Sequence, residues 1–501
     1  MRGKPKKKLV IAGGGTAGWT VAAALVKNLG ALIEIVLVES DAIGTVGVGE
    51  STIPTARRFH ELLGIDEREF VRATQASFKL GISFENWLRE GERYFHSFGV
   101  LGRSTWMADF HHMWLAARKM GVAGDLTDYN LESQAALAGR FQAGGGQGDA
   151  APLNYAYHLD ATAYGQFLRG FAEPLGVKRL EGKIGEVRLD PESGDIAALV
   201  LDSGVVVDGD LFVDCTGFRG LLIEEALHTG YEDWTHWLAT DRALAVQTSA
   251  VGPARPFTRA IAHRAGWQWQ IPLQHRVGNG LVYCSQHMSD DAARELLISR
   301  LDGPMLIEPR VIRYVSGTRA KAWNRNCVAI GLSSGFVEPL ESTSIHLIMI
   351  AVTRLMQLFP FDGVSEALAA RYNALSRAEM EGIRDFIILH YHLNQRTGEP
   401  FWDQCRDMAI PDSLAARIAL FRESATAYQA SDELFRVDSW VQVMLGQGLE
   451  PQSHHALGRM IGAERLGGSL ASLAANIRQQ AARLPLHQAF LDQYSPQAEL
   501  A

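Results

Sequence analysis

Near its start the chain passes from an apolar stretch, Leu9-Val10-Ile11-Ala12, straight into Gly13-Gly14-Gly15-Thr16-Ala17-Gly18 and then into Trp19-Thr20-Val21-Ala22-Ala23-Ala24-Leu25, whose composition is helical. Strand, glycine turn and helix in that order open a dinucleotide-binding βαβ unit. The spacing Gly13-x-Gly15-x-x-Gly18 lets the chain turn tightly, brings backbone N–H groups against a pyrophosphate, and lets the helix pack closely on its strand. A second apolar strand, Ile33-Glu34-Ile35-Val36-Leu37-Val38, ends in Glu39, at the spacing where an acid receives ribose hydroxyls. The expected fold class is therefore α/β with a Rossmann-like module. Gly13, Gly15, Thr16, Ala17, Gly18 and Glu39 are its expected cofactor contacts.

At 501 residues the chain exceeds the size at which single cores stop growing, so two or more packed regions are expected. A net charge of −8 argues against nucleic acid as the main partner, because phosphate binding needs clustered positive charge. Lys4, Lys6, Lys7 and Lys8 imitate the charged start of an export signal, but Gly13-Gly14-Gly15 breaks the apolar part at once. The reading is a solvated tail entering a first strand. No stretch approaches the roughly 20 apolar residues of a membrane span. Four scattered cysteines without C-x-x-C spacing fit a cytoplasmic protein with reduced thiols. His111-His112, His390-x-His392 and His454-His455 lack the carboxylates or cysteines that would complete a metal site, and no metal is expected.

Further along, Gly44-Thr45-Val46-Gly47-Val48-Gly49-Glu50-Ser51-Thr52-Ile53-Pro54 is glycine-dense and proline-terminated, so it reads either as a loop that approaches a ligand or as an ordinary surface turn. Gly144-Gly145-Gly146-Gln147-Gly148 has no preceding strand and reads as a flexible loop. No second fingerprint for NAD(P)H is visible. Asn326-Cys327-Val328-Ala329-Ile330-Gly331 reads as a strand, and the Ser- and Thr-rich turn around Glu341-Ser342-Thr343-Ser344 starts the next helix. Amides freed at a helix start suit an anion; a plain N-cap explains the same residues, and Glu341 also reads as a carboxylate that merely suits the helix dipole. Lys79 stands among Phe78, Leu80, Ile82 and Phe84, which points to a partly buried amine, although most lysines are surface charges. In Gly266-Trp267-Gln268-Trp269-Gln270-Ile271-Pro272 the residues Trp267, Trp269 and Ile271 share one strand face, on pattern alone a core face. Strands are expected at 267–273 and 280–284, and helices at 365–380, 381–394, 413–423 and 466–484.

Together, Ser77-Phe78-Lys79-Leu80, the loop from Gly47 to Pro54, the string from Trp267 to Pro272 and Pro339-Leu340-Glu341-Ser342-Thr343 resemble the motifs of flavin-dependent halogenases of the tryptophan or indole type. Tyr157-His158-Leu159-Asp160-Ala161 and Asp385-Phe386-Ile387-Ile388-Leu389-His390-Tyr391 add to the likeness, and Leu211-Phe212-Val213-Asp214-Cys215-Thr216-Gly217 resembles the segment by which related flavoproteins rejoin the cofactor domain. The resemblance implies an FAD-binding module of the flavin monooxygenase type over 1–355, with substrate-region strands inserted at about 236–310, and a helical cap over 356–501. It implies that a separate NAD(P)H-dependent reductase supplies FADH2, that dioxygen forms a flavin hydroperoxide, and that bromide or chloride is thereby oxidised to hypohalous acid. Lys79 would activate that acid, by hydrogen bonding or as a haloamine, while Glu341 orients the halogen and helps remove the ring proton. The amides of Thr343 and Ser344 would hold the halide. Gly49, Glu50, Val187, Leu332 and Ile345 would add cofactor contacts, Trp267 and Trp269 would keep substrate from the flavin, and His111 would line the substrate cavity. Ser344 stands where tryptophan halogenases commonly carry glycine, and residues 434–444 lack their aromatic clamp, so an electron-rich ring such as indole is the expected substrate rather than free tryptophan. Neither nucleic acid nor membrane is expected as a partner, and a homodimer is left open. The rival readings are a single-component FAD-dependent aromatic hydroxylase and a non-catalytic flavin-binding protein.

Overall fold

The computed structural model describes residues 6–43, 49–144 and 152–495. Lys4, the Gly44–Val48 part of the glycine-dense loop, and Gly145 to Gly148 of the glycine run lie outside the described residues. The chain forms two compact units, each assembled from three stretches: Met1–Gln75, Leu159–His236 and Tyr314–Met380 in the first, Ala76–His158, Trp237–Arg313 and Glu381–Ala501 in the second. The expected arrangement was a module over 1–355 with strands inserted at about 236–310 and a cap over 356–501; the contacts place the inserted stretch, Trp237–Arg313, in the second unit with Ala76–His158 and the chain from Glu381. Each unit draws strands from distant parts of the chain into one sheet, so the partition follows pairing rather than sequence order.

In the first unit a six-stranded sheet runs in the order Trp323–Asn324, Cys327–Ala329, Leu211–Asp214, Lys7–Ala12, Ile33–Glu39, Lys178–Glu181. All its pairs are parallel except that between the first two strands. A parallel sheet is covered on both faces, which is why Leu9 to Ala12 form an unbroken apolar run with no exposed surface. The helix Thr16–Leu29 follows, and the helices Ala161–Ala172 and Ser344–Gln357 pack against it. Asp160 caps Ala161–Ala172 by accepting from the Ala163 amide at 2.9 Å. A small antiparallel sheet, Ile184–Leu189, Ile196–Leu201 and Val206–Asp208, closes one side of the core, where Ile196, Leu199, Leu201 and Val207 meet Val10, Val36 and Phe212. Val187 lies on this sheet, partly buried against the same core.

The second unit is built on a seven-stranded sheet ordered Arg310–Arg313, Arg242–Ser249, Arg276–Tyr283, Gly266–Pro272, Thr258–His263, Gly81–Glu85, Arg93–Ser97. Only Thr258–His263 and Gly81–Glu85 pair in parallel. The strands expected at 267–273 and 280–284 are thus present as Gly266–Pro272 and Arg276–Tyr283, and the inserted stretch also contains the helix Asp290–Ser299. Late helices include Asp412–Ser424, Val437–Gly446 and Ala463–Arg483. The helices expected at 365–380 and 381–394 are one helix of 27 residues, Glu366–His392. No proline interrupts the junction, and Gly382 alone lowers helix propensity by only about 1 kcal/mol.

Gly18 shows how tightly the opening turn is made: a Cβ there would lie 1.9 Å from the Gly13 carbonyl oxygen. Gly18→Val is expected to push the helix from its strand and to destabilise the fold by about 1–3 kcal/mol, measured as a lowered urea midpoint at unchanged m-value.

Candidate active site

The first unit presents the cofactor cradle. Gly13 has φ +100°, and a Cβ there would sit 2.4 Å from the Cys215 carbonyl oxygen, so only glycine lets the turn approach the neighbouring strand end. Gly15 is different: a Cβ there would meet nothing within 4 Å, and Gly15 opens the helix Thr16–Leu29 with no side chain capping it. Open space in front of an uncapped helix start fits a pyrophosphate. The Glu39 carboxylate leans onto the same turn, since a Cβ on Gly14 would fall 1.6 Å from its Oε2. Its Oε1 accepts from Arg179 Nε at 2.5 Å, and Arg169 lies 3.8 Å away. Thr16 Oγ1 donates to the Ala161 carbonyl at 3.2 Å. Ala17 faces Gly331, whose φ of +79° lets the chain entering Leu332 come against the helix; a Cβ on Gly331 would be 2.9 Å from that of Ala17. Gly14, Arg179 and Gly331 were not singled out from sequence, because their roles are set by partners more than 15 residues away.

The turn before Ser344–Gln357 carries the Pro339-Leu340-Glu341-Ser342-Thr343 string. Glu338 and Glu341 are buried, and Ser342 adopts φ 60°, ψ 37°, a left-handed conformation that a non-glycine residue holds at some energetic cost. Thr343 occupies the N-cap position, yet neither its hydroxyl nor any other side chain caps the helix. Its Oγ1 is buried without a partner among the described residues. That outcome departs from the plain N-cap reading. Ile345 is buried one residue beyond Ser344. His346 fixes the helix's first turn: its Nδ1 meets Thr55 Oγ1 at 3.0 Å and its Nε2 meets Glu379 Oε1 at 3.1 Å, while Arg354 binds the other Glu379 oxygen at 2.5 Å. Burial raises the Glu379 carboxyl, but His346 and Arg354 outweigh it and hold the group below its ordinary value. Earlier in the unit Gly49 and Glu50 form part of the short strand Gly49–Ser51, and burial pushes the Glu50 carboxyl up to about 7.

In the second unit Lys79 has no exposed surface, and its Nζ lies 5.1 Å from the centre of the Phe98 ring. A cation over an aromatic face at this distance is attracted by the ring quadrupole. The neighbouring Phe78 points the opposite way, stacking on Phe141 at 4.2 Å and meeting Phe490 and Tyr494 edge-on. Trp267 and Trp269 are also buried, with ring centres 6.1 Å apart and neither indole N–H partnered among the described residues. The strand is buried on both faces, Gln268 and Gln270 included. Gly280, opposite Trp269, leaves room for its indole: a Cβ there would lie 2.0 Å from Trp269 Cζ2. His111 lies on Phe110–Lys119, its ring against His112 and Phe421 and its Nε2–H donating to the Ala425 carbonyl at 2.7 Å. The ring that covers Lys79 is Phe98, which sequence reasoning passed over because a single phenylalanine after a short strand carries no local signal.

Residues 8–463 match the family model for tryptophan halogenase. The chain belongs to the tryptophan halogenase family. Tryptophan 6-halogenase SttH of Streptomyces toxytricini is 38% identical over 437 residues, 82% of this chain and 83% of that protein. Among solved structures, Xcc4156, a flavin-dependent halogenase from Xanthomonas campestris, is 52% identical, covers 99% of both chains and superposes with a TM-score of 0.96. BrvH, a flavin-dependent halogenase from Brevundimonas sp. BAL3, is 45% identical over 98% of this chain and 100% of its own, with a TM-score of 0.94. As a member of this family the protein is a flavin-dependent halogenase, which uses FADH2, dioxygen and a halide. The open space at Gly15, the uncapped helix start and the nearby Glu39 carboxylate fit the flavin dinucleotide.

Several histidines of the halogenase are held neutral. Burial pushes His60 down to about 3 and His487 down to about 4, and His112 falls to about 3 through burial and its histidine neighbours. A depressed imidazole pKa means that the unfolded chain binds more protons at mildly acidic pH, so stability falls as pH drops below about 6.5 and continues to fall toward the folded-state values. Urea unfolding at pH 7 and pH 5 should show this decline, and His487→Gln should reduce it by on the order of 1–2 kcal/mol.

Proposed function

We propose that this halogenase oxidises bromide or chloride to hypohalous acid and directs it onto an electron-rich aromatic ring such as indole through Lys79 and Glu341. Reduced FAD and dioxygen supply the two-electron oxidation of the halide. Gly13, Gly15, Thr16, Ala17, Gly18 and Glu39 hold the cofactor, with Gly49, Glu50, Val187, Leu332 and Ile345 as further contacts. The amides of Thr343 and Ser344, together with the unpartnered Thr343 hydroxyl, receive the halide. Lys79 donates an N–H to the oxygen of hypohalous acid. As the aromatic carbon forms its bond to the halogen, the oxygen–halogen bond breaks, the departing oxygen takes a proton from Lys79 and leaves as water, and Glu341 accepts the ring proton.

The observation that carries this reading is the complete burial of the Lys79 amine against the Phe98 ring. A lysine outside a functional site is mostly exposed. SttH is named for tryptophan; in this chain the aromatic residues of the late stretch, Phe435 and Trp440, pack on Phe386 at 3.7 and 4.8 Å. That packing supports a free aromatic ring over the amino acid as substrate. A separate flavin reductase completes the system, since only one dinucleotide fingerprint is visible, and the free thiols support a cytoplasmic location.

Mass spectrometry of indole and L-tryptophan after incubation with the protein, FAD, a flavin reductase, NADH and either halide tests the reading. The expected result is a halogen isotope pattern on indole, reduced at least about 100-fold by Lys79→Ala, the scale of a lost proton-transfer group. Full halogenation by purified Lys79→Ala would overturn the role given to Lys79; a mass gain of one oxygen would favour the hydroxylase. Thr343→Val, which removes a buried hydroxyl at nearly constant volume, should raise the KM for bromide roughly three- to tenfold, with FAD affinity retained in a fluorescence titration.

A further inference from the structure

Lys79 sits on a strand of three residues, Ser77–Lys79, paired antiparallel with Ala156–Asp160 so that Ser77 faces His158 and Lys79 faces Ala156. A strand this short has little of its own to hold it in place. Two buried histidines supply additional ties, and their protonation can be worked out from the atoms they meet.

Ser77 Oγ donates its single proton to the Pro272 carbonyl, which can only accept. Its second contact, 3.1 Å to His158 Nδ1, must therefore run the other way, with Nδ1–H donating to Oγ. Burial, followed by the charge of Lys79, depresses the His158 pKa well below its ordinary value, so the ring is neutral. Its Nε2 then carries a lone pair and accepts from Thr258 Oγ1 at 2.9 Å. On the next residue the direction is equally constrained. The Phe78 amide can only donate, so His487 Nε2, 3.2 Å away, accepts. The Ala254 carbonyl can only accept, so His487 Nδ1 donates to it at 2.7 Å. Both rings are thus neutral tautomers protonated on Nδ1, and they hold consecutive residues beside Lys79. The chain Thr258 to His158 to Ser77 to Pro272 also ties the Lys79 strand to the end of the strand that carries Trp267 and Trp269.

We propose that His158 and His487 are positioning residues for Lys79. Neither touches the reacting atoms; each acts through the strand, and their neutrality keeps a second positive charge away from the Lys79 amine. The inference rests on the reading that Lys79 directs hypohalous acid. Loss of either tie leaves Lys79 free to drift, and a displacement of about 1 Å at a reacting group costs on the order of a hundredfold. Hypohalous acid then leaves the site before it reaches the ring.

The test is the ratio of bromoindole to free hypobromous acid, the latter captured by a 1,3-diketone trap, for FAD-loaded enzyme with reductase, NADH and bromide. Asparagine places an amide N–H where histidine has Nδ1, and glutamine places an amide oxygen where histidine has Nε2. The strand is met by Nδ1 of His158 and by Nε2 of His487, so the two positions demand opposite rescues. His158→Asn should keep the ratio and His158→Gln should lower it roughly tenfold or more, while His487→Gln should keep it and His487→Asn should lower it. Ser77→Ala, which removes one oxygen from the same chain, should lower it as His158→Gln does and serves if that variant fails to bind FAD. Equal behaviour of Asn and Gln at both positions, or an unchanged ratio in Ser77→Ala, overturns the assignment. If Lys79→Ala itself leaves the ratio unchanged, the functional reading fails instead.

Discussion

A lysine amine withdrawn from water is the constraint on which the second unit turns. Placing a cation where its hydration is lost is unfavourable unless the surroundings replace what water supplied. The Phe98 ring offers its negative face to Lys79, and His158 and His487, which meet the two residues before it, are kept uncharged by burial. On the other side of the strand, Phe78 is packed among Phe141, Tyr155, Phe490 and Tyr494. Alternation along a strand makes these two facts one: anchoring Phe78 in an aromatic nest commits Lys79 to the opposite face.

The first unit depends on a different device, the close approach of backbone to backbone. Three glycines lack the Cβ that would collide with Cys215, Glu39 or Gly13 itself. What results is a helix start with open space before it and a carboxylate beside it, held by Arg179. The turn at Ser342 produces a second uncapped helix start, where the buried Thr343 hydroxyl has no partner among the described residues. Family membership supplies the reactants, FADH2, dioxygen and a halide, and the proposed function assigns the flavin to the first site and the halide to the second.

The order of chemistry along the sequence was legible because each motif obeys a local rule. Gly13, Gly15 and Gly18 stand at spacings that a tight turn demands, Glu39 ends an apolar strand, and Trp267 and Trp269 alternate with glutamines. Local rules were also where the reading went astray. A plain N-cap was the rival reading of Ser342, Thr343 and Ser344, and no side chain caps the helix; the alternation from Trp267 to Pro272 suggested one buried face, and both faces are buried, because this strand lies inside a seven-stranded sheet. The helices at 365–380 and 381–394 merged because nothing at their junction stops a helix.

What the sequence by itself determined is the Rossmann opening and the family, since backbone geometry and short-range chemistry restrict which residues can stand at those spacings. Only the tertiary structure decided which groups surround them. Phe98 over Lys79, His158 and His487 beside its strand, and Arg179 on Glu39 are separated from their partners by between 19 and 409 residues. No local pattern marks such residues, because their positions and their protonation are set by long-range packing that excludes water, and that packing exists only in the folded chain.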